Sequence, residues 1–247
     1  MALTALTPLT PLTPRTCRRP PWIAMPTPPI PPIPPIRPRR WLLLCAVGLA
    51  ACAPALNWRE VRPAHAEGLL ATFPCKPQAA QRQIPLPGLP DVVTVHLLSC
   101  EADGSRWALS HLSVSDASLV PVALRALAAA TRGNLELASR EAARQAQAAS
   151  AQAVPEPLAQ PAVRASELAP AAVPRMTPQP DSRTWRFEAR RPGEGGGASV
   201  PLTVTASHFS HGLTVFQASV WQPDEAGSAH SGREGVTTFL QGFHFPG

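Results

Sequence analysis

The chain has 247 residues, with 22 Lys+Arg, 16 Asp+Glu, 5 Cys, 32 Pro and no Tyr. That is enough for one domain of ordinary size with tails, but the proline content means part of the chain lies outside a folded core. The formal charge of +6 suggests a nucleic-acid partner, yet residues 1–51 hold six Arg and no acid, and the remainder balances at 16 basic against 16 acidic residues. A neutral body has no electrostatic footprint for DNA, RNA or anionic lipid, so no nucleic-acid partner is expected.

Thr-Pro units fill residues 4–14 and Pro-Pro-Ile repeats three times over 28–36. Such composition cannot bury a core and favours polyproline II or disorder. Arg37, Arg39 and Arg40 then precede an apolar run of 11 residues, 41–51. A spanning helix needs about 20 apolar residues, whereas the core of a secretory signal needs about 7–15, so 1–51 reads as an extension followed by a signal peptide. The 36 residues ahead of the Arg flank exceed an ordinary signal and fit a start at Met25 or later.

The run ends Leu49-Ala50-Ala51-Cys52. This resembles the lipobox of bacterial lipoproteins, which are cut just before a Cys that then carries the lipid. The resemblance implies lipidation (palmitate among the acyl chains) at Cys52 and a membrane anchored through that lipid. Ala53, in place of Asp, implies the periplasmic face of the outer membrane by similarity to bacterial lipoprotein sorting. Cys17 and Cys45 fall in the removed segment. Cys75 and Cys100 remain as an even pair in an oxidising compartment, which predicts a structural disulfide. The rival reading, a metal or redox pair, lacks a Cys-x-x-Cys spacing.

Residues 52–66 read as a tether, and 67–247 as a single α+β domain in which an antiparallel sheet carries helices. Strands are predicted over 68–73, 82–86, 91–99 and 107–114, with Ala102-Asp103-Gly104-Ser105 as a hairpin turn. Asp116 and Ser118 offer N-cap oxygens before a helix with Pro121 in its first turn. Val120, Leu124, Leu127 and Ala128 form its core-facing stripe, and Gly133-Asn134 reads as its stop. From 139 to 181 the composition shifts to Ala, Gln and Pro; Glu141 to Gln152 could extend as a polar Ala-rich helix, the prolines from Pro155 onward forbid a long one, and the segment reads as an insertion or mobile linker within the domain. Alternating strands resume at 183–190, 200–207 and 213–221, then a short helix over 236–241 and a packed end at Phe243 and Phe245.

Phe73-Pro74-Cys75-Lys76-Pro77 resembles the Phe-Pro-Gly-Lys-Pro motif of PsbP/Mog-like domains, small α-β-α sandwiches common among bacterial lipoproteins. Cys75 stands where that family has Gly, and the Ala/Pro-rich segment is a further departure. The resemblance covers about residues 67–137 and 182–245, and implies a partner-binding module more than a catalyst.

Motifs for chemistry are sparse. His208-x-x-His211 has no acidic or Cys ligand beside it, short of the three or four ligands of a zinc site, so no metal is expected. His96 and His111 fall on facing arms of one hairpin and are expected to face solvent or a polar edge. There is no Gly-x-Ser-x-Gly and no Ser-x-x-Lys, because the only Lys is Lys76. Cys75 beside Lys76 would be an activated thiol only without a disulfide partner. The Gly-rich stretch 193–197 lacks the strand-to-helix setting of a phosphate cradle and reads as a turn. Trp58, Trp107, Trp185 and Trp221 read as packing residues more than a ligand box. No cofactor and no catalytic residue is expected. The reading that follows is a non-enzymatic, outer-membrane-anchored lipoprotein that binds or scaffolds an envelope partner; the alternative is a periplasmic hydrolase or redox enzyme with an unrecognised site.

Overall fold

The structure is a computed structural model, described here for residues 56–149, 163–193, 197–224 and 232–247. The extension, the lipobox and Cys52 lie outside the described residues. No helix among the described residues is long and apolar enough to cross a membrane.

Among the described residues, ten strands form two sheets. The larger takes β3 (Gln78–Pro85), β4 (Val92–Ala102), β5 (Ser105–Ser113), β6 (Arg164–Pro170), β7 (Arg183–Arg191), β8 (Val200–His211) and β9 (Thr214–Pro223). Its order is β3-β4-β5-β9-β8-β7-β6, with every neighbouring pair antiparallel. The smaller sheet is β1 (Arg59–Val61), β2 (Leu70–Phe73) and β10 (Phe243–His244), in the order β1-β2-β10. The domain is thus α+β with antiparallel sheets, as its strand-helix-strand order predicts. Sequence-distant halves join at the centre, where Leu109 of β5 lies opposite Ala218 of β9.

The turn between β4 and β5 shows how local chemistry sets register. Asp103 and Gly104 both take positive φ, 51° and 65°. That is the backbone of a two-residue hairpin turn whose twist matches the strands. Pairing then runs outward from Ala102↔Ser105 to Cys100↔Trp107 and His96↔His111.

One face of the large sheet is covered by α1 (Val120–Ala149), a helix of 30 residues and so about 45 Å long. Asp116 opens the segment: its carboxylate accepts from the Ser118 amide at 2.7 Å and the Ser118 hydroxyl at 2.6 Å, leading into a 3-10 turn at Ala117–Leu119. Of the expected stripe, Val120, Leu124 and Leu127 are buried, joined by Ala123, against Leu112 and Val215, while Ala128 is half-buried. Gly133-Asn134 does not end the helix. One interior Gly costs only about 1 kcal/mol, and Leu135 beyond it is buried with Phe187, Leu202 and Val204.

Two further expectations are corrected. Residues 139–181 are not a plain insertion. Their Ala-rich start is strongly helix-forming and continues α1 to Ala149, ahead of the prolines. Their later part supplies the edge strand β6 and three core residues, Val163, Ala171 and Val173; residues 150–162 lie outside the described residues. Nor is 52–66 wholly a tether. Arg59 to Val61 pair with β2, and Trp58 meets Trp107 edge-to-face at 6.0 Å. The apolar Leu56, Trp58 and Val61 pack on the core and bring this stretch into the domain.

The opposite face of the large sheet is covered by the small sheet and by α2 (Gly232–Gln241). Phe239 of α2 meets Trp107 at 5.3 Å, Phe73 at 5.4 Å and Phe243 at 5.0 Å, each edge-to-face. Gly242 permits the close return of the chain, because a Cβ there would lie 2.6 Å from the Thr72 Cβ. This covering layer is narrow. With 10 residues, α2 is about 15 Å long and sits over β9 and β10. The face therefore changes character along one of its rows: Cys100, Trp107 and Val220 are followed across β8, β7 and β6 by Thr205, Arg186 and Ser166.

Candidate functional site

The predicted disulfide is present. Cys75, two residues beyond β2, is bonded to Cys100 near the end of β4, with S–S 2.02 Å and Cα–Cα 6.0 Å. The bond ties the small sheet to the large one. It also removes Cys75 as a thiolate, so the neighbouring Lys76 has no thiol to activate.

The structure places the histidines differently from the sequence expectation. His111 is fully buried, not facing solvent or a polar edge. It stacks on His96 at 5.0 Å, and His65 lies against His96 at 5.1 Å with its ring tilted by 31°. Phe216 closes the column at 5.8 Å from His111, and Phe209 lies beyond it at 5.1 Å from Phe216. The physical reason is the covering segment. His65, with φ of 58°, begins a turn that leads to the buried Leu69, and together they roof the hairpin that would otherwise be wet. Neither ring nitrogen of His111 has a hydrogen-bond partner. Burial, then the neighbouring His96 and His65, push its pKa down to about 4, so it is neutral at pH 7. The near-parallel rings of His96 and His111 carry their in-plane lone pairs side by side, not toward a common point, and no group of three His, Cys, Asp or Glu among the described residues could hold a metal. The register was readable: a two-residue turn at 103–104 forces His96 opposite His111.

His208 and His211 do not converge. They are three residues apart on β8, so they point to opposite faces of the sheet. His208 is buried beneath α1, where its Nε2 meets Gln217 Oε1 at 3.2 Å, and the Thr131 hydroxyl approaches the same oxygen at 3.2 Å. Burial lowers the His208 pKa to about 4, against the opposing pull of Gln217 and the Arg183 backbone. His211 stacks on Phe245 at 4.0 Å, and its Nδ1 lies 2.9 Å from the Arg175 carbonyl.

The narrow covering layer leaves a cleft of about 700 Å³ between α2 and the sheet. Its floor is Arg186 of β7, Thr203 and Thr205 of β8 and Gln222 of β9; Val236 and Leu240 of α2 form one wall. Arg186 forms no ion pair among the described residues, and its Nε, shielded from water, has no hydrogen-bond partner. Sequence reading passed over this site, because Arg186 was one polar residue in an alternating strand. A second cleft of about 620 Å³ lies at the β4–β5 turn, where Arg106 is already paired with Glu101 at 2.7 Å. The floor of the first cleft is made of hydrogen-bond donors and amphoteric hydroxyls, a chemistry of binding and orientation.

No protein-family model matches the chain, and no curated protein matches it.

Proposed function

We propose that this protein is a lipid-anchored envelope module, held at the periplasmic face of the outer membrane through Cys52, whose α+β domain binds or scaffolds an envelope partner without catalysing a reaction. The observation that carries the reading is the Cys75–Cys100 disulfide, which suits an oxidising compartment. It uses the two cysteines that remain once the lipobox resemblance assigns Cys52 to lipid and the signal to removal. The finer fold assignment, a PsbP/Mog-like sandwich, belongs to the same proposal. Its supports are Phe73-Pro74-Cys75-Lys76-Pro77 and an antiparallel sheet with α1 on one face and α2 on the other.

The test is a bacterial host expressing the wild type and Cys52→Ser, with metabolic palmitate labelling and membrane fractionation. Label on the wild type at Cys52 and loss of outer-membrane partition in the variant support the proposal. An unlabelled wild type, or a variant that partitions as before, refutes the anchor.

A further inference from the structure

We propose that the cleft between α2 and the β8-β7-β6 face binds a small monocarboxylate with a short apolar body, anchored by the Arg186 guanidinium. Three observations converge on that ligand class.

The first is the state of Arg186. It lies opposite Thr205 on one side and Ser166 on the other, neutral side chains that cannot balance its charge. A buried donor without an acceptor is costly, and more so on a charged group. A carboxylate that accepted from Nε and Nη together, the side-on fork that guanidinium favours, would supply the missing acceptor, and the side chain must turn to present the shielded Nε to it.

The second is charge. Among the described residues that line the cleft, Arg186 and Arg233 stand against one acid, Asp224, an excess of one positive charge. A monoanion balances it, whereas a phosphate monoester brings nearly two charges.

The third is the apolar wall. Val236 and Leu240 face Leu168 of β6, which is 49% exposed in a strand that otherwise carries small or polar side chains. An apolar body a few carbons long would lie between them with its head toward Arg186. The inference does not depend on the lipid anchor, since every residue it uses belongs to the folded domain. It adds a small-molecule ligand to the partner-binding reading.

The test is isothermal titration calorimetry of the purified full chain with hexanoate, hexanol and hexyl phosphate. Hexanoate is expected to bind saturably at one site, with hexanol at least about tenfold weaker, the scale of one charge-assisted hydrogen bond. Arg186→Gln should weaken hexanoate by about tenfold or more, and Arg186→Lys by less, because it keeps the charge and loses the fork. Leu240→Ala should weaken hexanoate several-fold and leave the fold intact by circular dichroism, and it serves as the reading if Arg186→Gln does not fold. Absence of saturable hexanoate binding, equal affinity for hexanol, tighter binding of hexyl phosphate, or unchanged affinity in both Arg186→Lys and Leu240→Ala would each overturn the proposal.

Discussion

His111 lies face to face with His96, their rings 5.0 Å apart and 15° from parallel, with no hydrogen bond to either nitrogen of His111. Protonation of His111 would place a cation in the core beside two further imidazoles, His96 and His65. The column is therefore stable only while its inner member is neutral. His208, beneath the other face, is under the same constraint.

Acid should destabilise the fold over a defined window. The folded-state pKa of both His111 and His208 is near 4, below the ordinary 6.5. Their contribution is present in full above pH 6.5 and is lost as pH falls toward 4, because the unfolded chain takes up protons that the fold refuses. For His208 the slope is up to about 1.4 kcal/mol per pH unit. Urea midpoints measured from pH 7.5 to 4.5 should fall steeply. In His111→Phe, which keeps a ring in the column and removes two unpartnered nitrogens, they should fall less. An equal slope in the variant would remove His111 from the account.

Loss of the disulfide should cost about 3 kcal/mol, from the entropy of a loop closed over 25 residues. Cys75→Ala/Cys100→Ala measured by urea unfolding, beside the oxidised wild type, reads this directly. No change in the midpoint would show that the link adds nothing to the sheet packing.

Gln217 should matter more than Thr131. Gln217→Ala leaves buried His208 without its Nε2 partner and should cost about 1–3 kcal/mol. The Thr131 hydroxyl also lies 3.1 Å from the Leu127 carbonyl of its own helix, so Thr131→Val removes only a redundant group and should cost less than about 1 kcal/mol. Reversal of that order in chemical denaturation would contradict the placement of the network.

Deletion of residues 164–180 with a short Gly/Ser bridge should not be neutral. It removes the edge strand β6 and the buried Ala171 and Val173. Together these should lower stability by several kcal/mol, well beyond the slow change of loop-closure entropy. A melting temperature within a few degrees of the wild type would return the segment to the status of a tolerated insertion.

Much of the fold is legible in the chain because local rules settle it. The alternation at Trp185, Phe187 and Ala189 marks a strand with one buried face. The Asp103-Gly104 turn gives register to its hairpin, and the stripe from Val120 to Leu127 gives α1 its inner face. Composition alone separates residues 1–51 from the rest, and Cys75 and Cys100, the two cysteines among the described residues, are joined.

What only the tertiary structure decided depends on which element covers which. His111 alternates like any strand residue, and its burial comes from the 65–69 turn arriving from elsewhere in the chain. Gly133 interrupts helix propensity, yet α1 continues because Leu135 gains a core against β7 and β8. Arg186 is one polar position among several on its strand. It becomes the floor of a cleft because α2 is too short to span seven strands, and covering length is a property of the assembled layers that no local pattern encodes.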